Sequence, residues 1–101
     1  MIDPICPKFE QAATLLGKKW VGLIIHQLLI GPKRFNELET EIKISGKMLS
    51  DRLKDLEQQG IVKRNVYNEI PVRIEYELTE KGKSLNPIMN ELTTWAERWF
   101  E

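Results

Sequence analysis

Apolar residues recur at helical spacing along most of this chain and switch to strict alternation in one place. Phe9, Ala12, Ala13 and Leu16 follow a 3.6-residue period between Pro7, suited to a first helical position, and Gly17, which predicts a first helix. A second helix is predicted over about residues 18–29, with Trp20, Leu23, Ile24 and Leu28 on one stripe before the stop at Gly31 and Pro32. Both stripes are expected in the core. A third helix over residues 35–42 should bury Phe35, Leu38 and Ile42, and a short turn then leads to Ser45, placed as the N-cap of a fourth helix over residues 46–59. Leu49, Leu53 and Leu56 form the inner stripe of that helix, and Gly60 ends it. The period then drops to two. "IVKRNVY" and "VRIEYEL" read as strands around the turn "NEIP", with Val72, Ile74, Tyr76 and Leu78 facing inward and Arg73, Glu75 and Glu77 facing water. Beyond Thr79, a predicted cap, Leu85, Ile88, Met89, Leu92, Trp95, Trp99 and Phe100 make a broad apolar stripe, in which Pro87 predicts a kink or a restarted helix.

Five helical segments and one hairpin give a mainly α chain with a small β-hairpin. A helix, a turn, a second helix and an adjoining hairpin make a winged helix-turn-helix, with additional N- and C-terminal helices. At 101 residues the chain is long enough for one core, so residues 1–101 are expected to form a single domain. The tail stripe is broader than such a core can cover. Leu85 and Ile88 are expected to fold back on it, whereas Trp95, Trp99 and Phe100 are assigned to a dimer interface, against the partner's first helix and its Phe9.

The inner stripe of the fourth helix leaves Lys47, Ser50, Asp51, Lys54 and Gln58 on the opposite, polar face. Lys47 and Ser50, near the helix start, are the base-edge candidates, since a recognition helix enters the major groove by its N-terminal residues. Asp51 and Lys54 share the face, with Asp51 placed to accept from cytosine or to orient a neighbour. Ser45 belongs to the same surface as the cap. Arg52 falls nearer the inner stripe, where a structural or phosphate-bridging role outweighs base reading. On the wing, Arg64, Asn68 and Arg73 are candidates for phosphate or the minor groove, or are plain solvated side chains.

A net charge of zero at first argues against a polyanionic partner, but the charges are sorted. Residues 18–34 hold four bases and no acid, Glu37, Glu39 and Glu41 follow, residues 42–74 hold seven bases against four acids, and the remainder is acidic. Such sorting suits one positive face. The first ten residues contain no apolar export-signal core, no run reaches the length of a bilayer span, and one cysteine fits a reducing compartment, so a cytoplasmic protein is expected. His26 is the only histidine and has no second metal ligand at usable spacing, and no phosphate loop, nucleophile elbow or cysteine pair is present. No enzyme, metal or cofactor is expected. Cys6 directly precedes Pro7, at the start of the first helix, where free N–H groups and the helix dipole favour a thiolate. It is either a reactive thiol or a small buried residue.

"CPKFEQAATLLGKKWVGLIIHQLLIGPKRFNEL", "SGKMLSDRLKDLEQQGIVKR", "EIPVRIEYELTEKG" and the tryptophan-bearing tail together resemble the HxlR family of bacterial winged-helix transcription regulators. The Cys-Pro start followed by "LLGKKW" is most similar to the branch that responds to quinones, other electrophiles and thiol oxidants. The resemblance implies a homodimeric repressor on a pseudo-palindromic operator, released by reaction at Cys6. With no further cysteine in the sequence, an intrasubunit disulfide is excluded. A DNA-binding regulator without redox sensing, and a winged-helix protein-interaction module, are the alternatives.

Overall fold

The computed structural model describes residues 6–101 and has six helices and one hairpin among them. The order is α1 (Pro7–Gly17), α2 (Val21–Ile30), α3 (Phe35–Ile42), α4 (Gly46–Gln58), β1 (Val62–Tyr67), β2 (Arg73–Leu78), α5 (Glu80–Lys83) and α6 (Asn86–Trp99). The expectation about an export signal rests partly on residues 1–5, which lie outside the described residues.

The centre of the fold is built as the pattern predicts. Leu49, Leu53 and Leu56 of α4 join Val21, Ile24, Ile25 and Leu28 of α2, Leu38 of α3 and Ile44 of the intervening turn in one buried cluster, closed by Ile61, Val62, Tyr76, Leu78 and Met89. The Ser45 hydroxyl accepts from the Met48 N–H at 3.2 Å and caps α4. At the other end Gly60, at φ 72°, adopts the left-handed conformation that glycine tolerates best. The Ile61 N–H then reaches the Leu56 carbonyl at 2.9 Å and the Gly60 N–H reaches Glu57 at 3.0 Å, the double bond of a Schellman stop. This turns the chain directly into β1. Thr79, which caps α5 by accepting from the Gly82 N–H, donates its N–H to the Ile61 carbonyl at 3.0 Å and so fastens the far end of the hairpin to the same corner.

β1 and β2 pair antiparallel from Val62 opposite Leu78 to Tyr67 opposite Arg73. A further strand segment, not apparent from the sequence, is contributed by Lys33, which exchanges two backbone hydrogen bonds with Tyr76, at 3.0 and 2.8 Å. It moors the α2–α3 connection to the hairpin.

Several expectations change at the periphery. Helix two starts at Val21 rather than at residue 18: Lys18 is extended and Trp20 sits at φ 78°, so residues 18–20 form an elbow, and α1 and α2 meet at 80°. Phe9, Ala12 and Ala13 are exposed instead of buried, because α1 meets the cluster only through Leu15 and Leu16 at its far end, and Leu23 lies on the outer side of α2. Val72 lies before β2 and is exposed, since the inner face of the hairpin outruns the helices beneath it. The tail restarts, with α5 separate from α6 and Pro87 in the first turn of α6. Leu85 packs on the core as expected but Ile88 does not; Met89, the next residue around the helix, takes the inward position. With α1 and α6 reaching outward, the radius of gyration is 15.0 Å, against about 13 Å for a compact chain of this length.

Candidate nucleic-acid interface and thiol site

The inward leucines of α4 determine which of its side chains are free. Lys47, Asp51, Lys54 and Gln58 are exposed on the outer face, with Ser50 half-buried among them and Ser45 exposed at the helix start. The structure therefore brings Ser45, Lys47, Ser50, Asp51 and Lys54 onto one surface. Arg52 is turned elsewhere. Its side chain is 17% exposed, its Nε donates to the Lys19 carbonyl at 3.0 Å, and its guanidinium lies 4.0 Å from Asp55. Asp55 in turn accepts from the Lys18 ammonium at 2.8 Å, and this hydrogen bond holds its carboxyl below the usual range. The link from α4 to residues 18 and 19 was invisible in the sequence, because nothing local relates side chains more than thirty residues apart.

The polar face of the wing is an ion-pair ladder. Arg73 meets Glu69 and Glu75, each at 2.8 Å, and stacks 3.8 Å over the Tyr67 ring; the hydrogen bond it donates to Glu69, then that to Glu75, holds the guanidinium firmly charged. Lys63 pairs with Glu77 at 3.1 Å, and Asn65 donates to the same carboxylate at 2.8 Å. Among the wing candidates Arg64 and Asn68 are exposed, whereas the charge of Arg73 is already balanced within the wing.

Cys6 is the N-cap of α1. Its sulfur accepts from the Phe9 N–H at 3.5 Å, its carbonyl from Glu10 at 2.9 Å, and the residue is half-buried. Phe9, one turn on, is 67% exposed. At the opposite end of the chain Trp95, Trp99 and Phe100 are 54, 64 and 67% exposed, with Trp95 and Phe100 edge to face at 5.5 Å. Between α2 and α6 runs an open groove of 430 Å³, lined by Leu16, Trp20, Leu23, Met89, Leu92 and Ala96 among others. Among the described residues no cluster of three His, Cys, Asp or Glu side chains is placed to hold a metal ion, and no single helix is long and apolar enough to cross a membrane.

The HxlR-like helix-turn-helix family model matches residues 15–101. The HTH-type transcriptional regulator YodB of Bacillus subtilis is 53% identical over 102 residues, covering 100% of this chain and 91% of its own length. The solved reduced form of YodB superposes with a TM-score of 0.86 at 53% identity over 96% of each chain, and the quinone-bound form with 0.81 at 50% identity over 94% of this chain and 100% of that one. The redox regulator HypR in its oxidised form gives 0.87 at 38% identity, over 95% of this chain and 99% of that one. A winged helix-turn-helix with a free polar face on α4, matched over most of its length by these regulators, belongs to the HxlR family of helix-turn-helix transcription regulators.

Proposed function

We propose that the chain acts in the cytoplasm as a homodimeric repressor, its 101 residues forming one DNA-binding unit that reads a pseudo-palindromic operator through α4 and is released by quinones or thiol oxidants at Cys6. The observation that carries this reading is the position of Cys6. It caps α1, a helix that rests on the core only through Leu15 and Leu16 at its far end and leaves Phe9 exposed in its first turn, so a change at the thiol falls beside apolar surface open to a second subunit. The quinone-bound and reduced forms of YodB, and the oxidised form of HypR, support the same chemistry in relatives.

Two routes are open to the sulfur. The thiolate adds to an electron-poor carbon of a quinone, and the ring takes up a proton to give a hydroquinone thioether, without a change at any second residue. Alternatively diamide accepts two electrons and two protons as two thiols join, and with one cysteine per chain the partner sulfur comes from the other subunit or from a small thiol. Either product enlarges the first turn of α1. Operator spacing is fixed by the duplex, so a displacement of α1 that alters the separation of the two α4 helices costs affinity.

The test is operator binding by wild type and Cys6→Ser, with and without quinone or diamide and then reductant. Wild type should release the duplex, reductant should restore the oxidised but not the alkylated protein, and Cys6→Ser should stay bound throughout. Release of Cys6→Ser as readily as wild type would sink the sensor role and leave the DNA-binding role standing.

A further inference from the structure

We infer that Arg52, Asp55 and Lys18 form a clamp that sets the orientation of α4 from the elbow between α1 and α2, so that Arg52 and Asp55 are positioning residues for DNA recognition and not contacts to the duplex. The inference rests on α4 being the DNA-reading helix. Its observations are independent of Cys6. Arg52 spends its Nε on the Lys19 carbonyl, and Asp55, one turn further along α4, holds the Lys18 ammonium at 2.8 Å. Lys18 and Lys19 are the two residues between the end of α1 and Trp20, whose left-handed backbone makes the corner. Two adjacent positions of the elbow are thus tied to two positions on one flank of α4, between its buried leucines and its free face.

This arrangement matters because α1 has little else to hold it. Only Leu15 and Leu16, at the end next to the elbow, pack on the core, so the direction of its free part is set at the elbow and by whatever the elbow touches. A planar guanidinium directed at a carbonyl fixes an angle, which a flexible ammonium does not. Single exposed ion pairs add little to stability. The clamp therefore acts on the angle between two helices more than on whether the chain folds, and it provides a direct mechanical link between the helix that carries the thiol and the helix that reads DNA.

The experiment uses a duplex selected from a random-sequence pool by the wild-type protein, and a second duplex with one base pair inserted between its half-sites. Arg52→Lys keeps the charge but loses the directed fork, and Lys18→Gln cuts the other arm from the elbow side, at an exposed residue outside α4. Both variants should melt near wild type and bind random duplex as wild type does. Their preference for the native over the expanded spacing should fall by at least about threefold, in the range of coupling between contacting residues. If both variants discriminate spacing as sharply as wild type, the clamp is overturned. A wild type without any spacing preference would instead overturn the operator reading on which the clamp depends, so the two failures are separable. Where wild type responds to diamide, the clamp also predicts a smaller fall in operator affinity for the variants than for wild type, and an equal fall counts against it.

Discussion

Lys47 and Arg52 are five residues apart on one helix, and their different fates follow from the positions of three leucines. With Leu49, Leu53 and Leu56 inward, Lys47 points to solvent at the helix start, and Lys47→Ala should cost about 1 to 3 kcal/mol on the operator and less on random DNA, as for a base-edge contact. Equal losses on both duplexes, measured by fluorescence anisotropy, would make Lys47 a phosphate contact. The outward set was legible in the sequence because a 3.6-residue period fixes which positions share a face. Arg52 was legible only as lying off that face; its partner, the Lys19 carbonyl, belongs to an elbow that the periodicity had assigned to helix two. A second residue-scale consequence concerns Gly82, which is buried where an added Cβ would collide with the Ile61 carbonyl and crowd Leu78. Gly82→Ala should lower stability by about 1 to 3 kcal/mol through overpacking, seen as a reduced urea midpoint at unchanged slope.

Among the elements, the wing shows how a hairpin can be rich in charge yet nearly neutral. Arg73 and Lys63 are matched by Glu69, Glu75 and Glu77, which leaves Arg64 as the exposed base of β1 with no ion pair among the described residues. Hydrogen bonds from Asn65 and then from Lys63 hold the Glu77 carboxyl below its ordinary value of 4.5, and that of Arg73 does the same for Glu69. A carboxylate depressed in the folded state stabilises it above the unfolded pKa, and the contribution is lost as pH falls through the folded one. The wing should therefore loosen as pH drops below 4.5, and Glu77→Gln should show a smaller fall in melting temperature than wild type between neutral and acid solution. An identical fall would mean that the ladder is too well solvated to matter. The strands themselves were legible from alternation, and the α4 stop from a glycine. The Lys33–Tyr76 bridge was not, because a single paired residue has no period, and the α5–α6 break was read only as a kink or restart at Pro87.

For the molecule as a whole, the chain covers its centre and leaves Phe9 on α1 and the aromatics at the end of α6 exposed. The aromatic residues at the end of α6 and the apolar side of α1 were both legible as hydrophobic stripes, but periodicity alone cannot tell a stripe that meets its own core from one that meets a second chain. Replacing Trp95 and Trp99 together by alanine should give monomers by sedimentation at micromolar concentration, and an intact dimer there would place the interface elsewhere. The bare state of α1 carries a further consequence. Isolated helices shorter than about 12 to 15 residues are marginal in water, and α1, with 11 residues and only Leu15 and Leu16 at its far end packed on the core, should fray from its first turn in a single chain. In the proposed dimer the partner would firm the cap at Cys6, and dilution would loosen it along with that turn. Cysteine alkylation by iodoacetamide should accordingly change rate with protein concentration, following the dimer fraction. A thiol whose surroundings follow such an equilibrium would report how much of the protein is present as well as what has reacted with it.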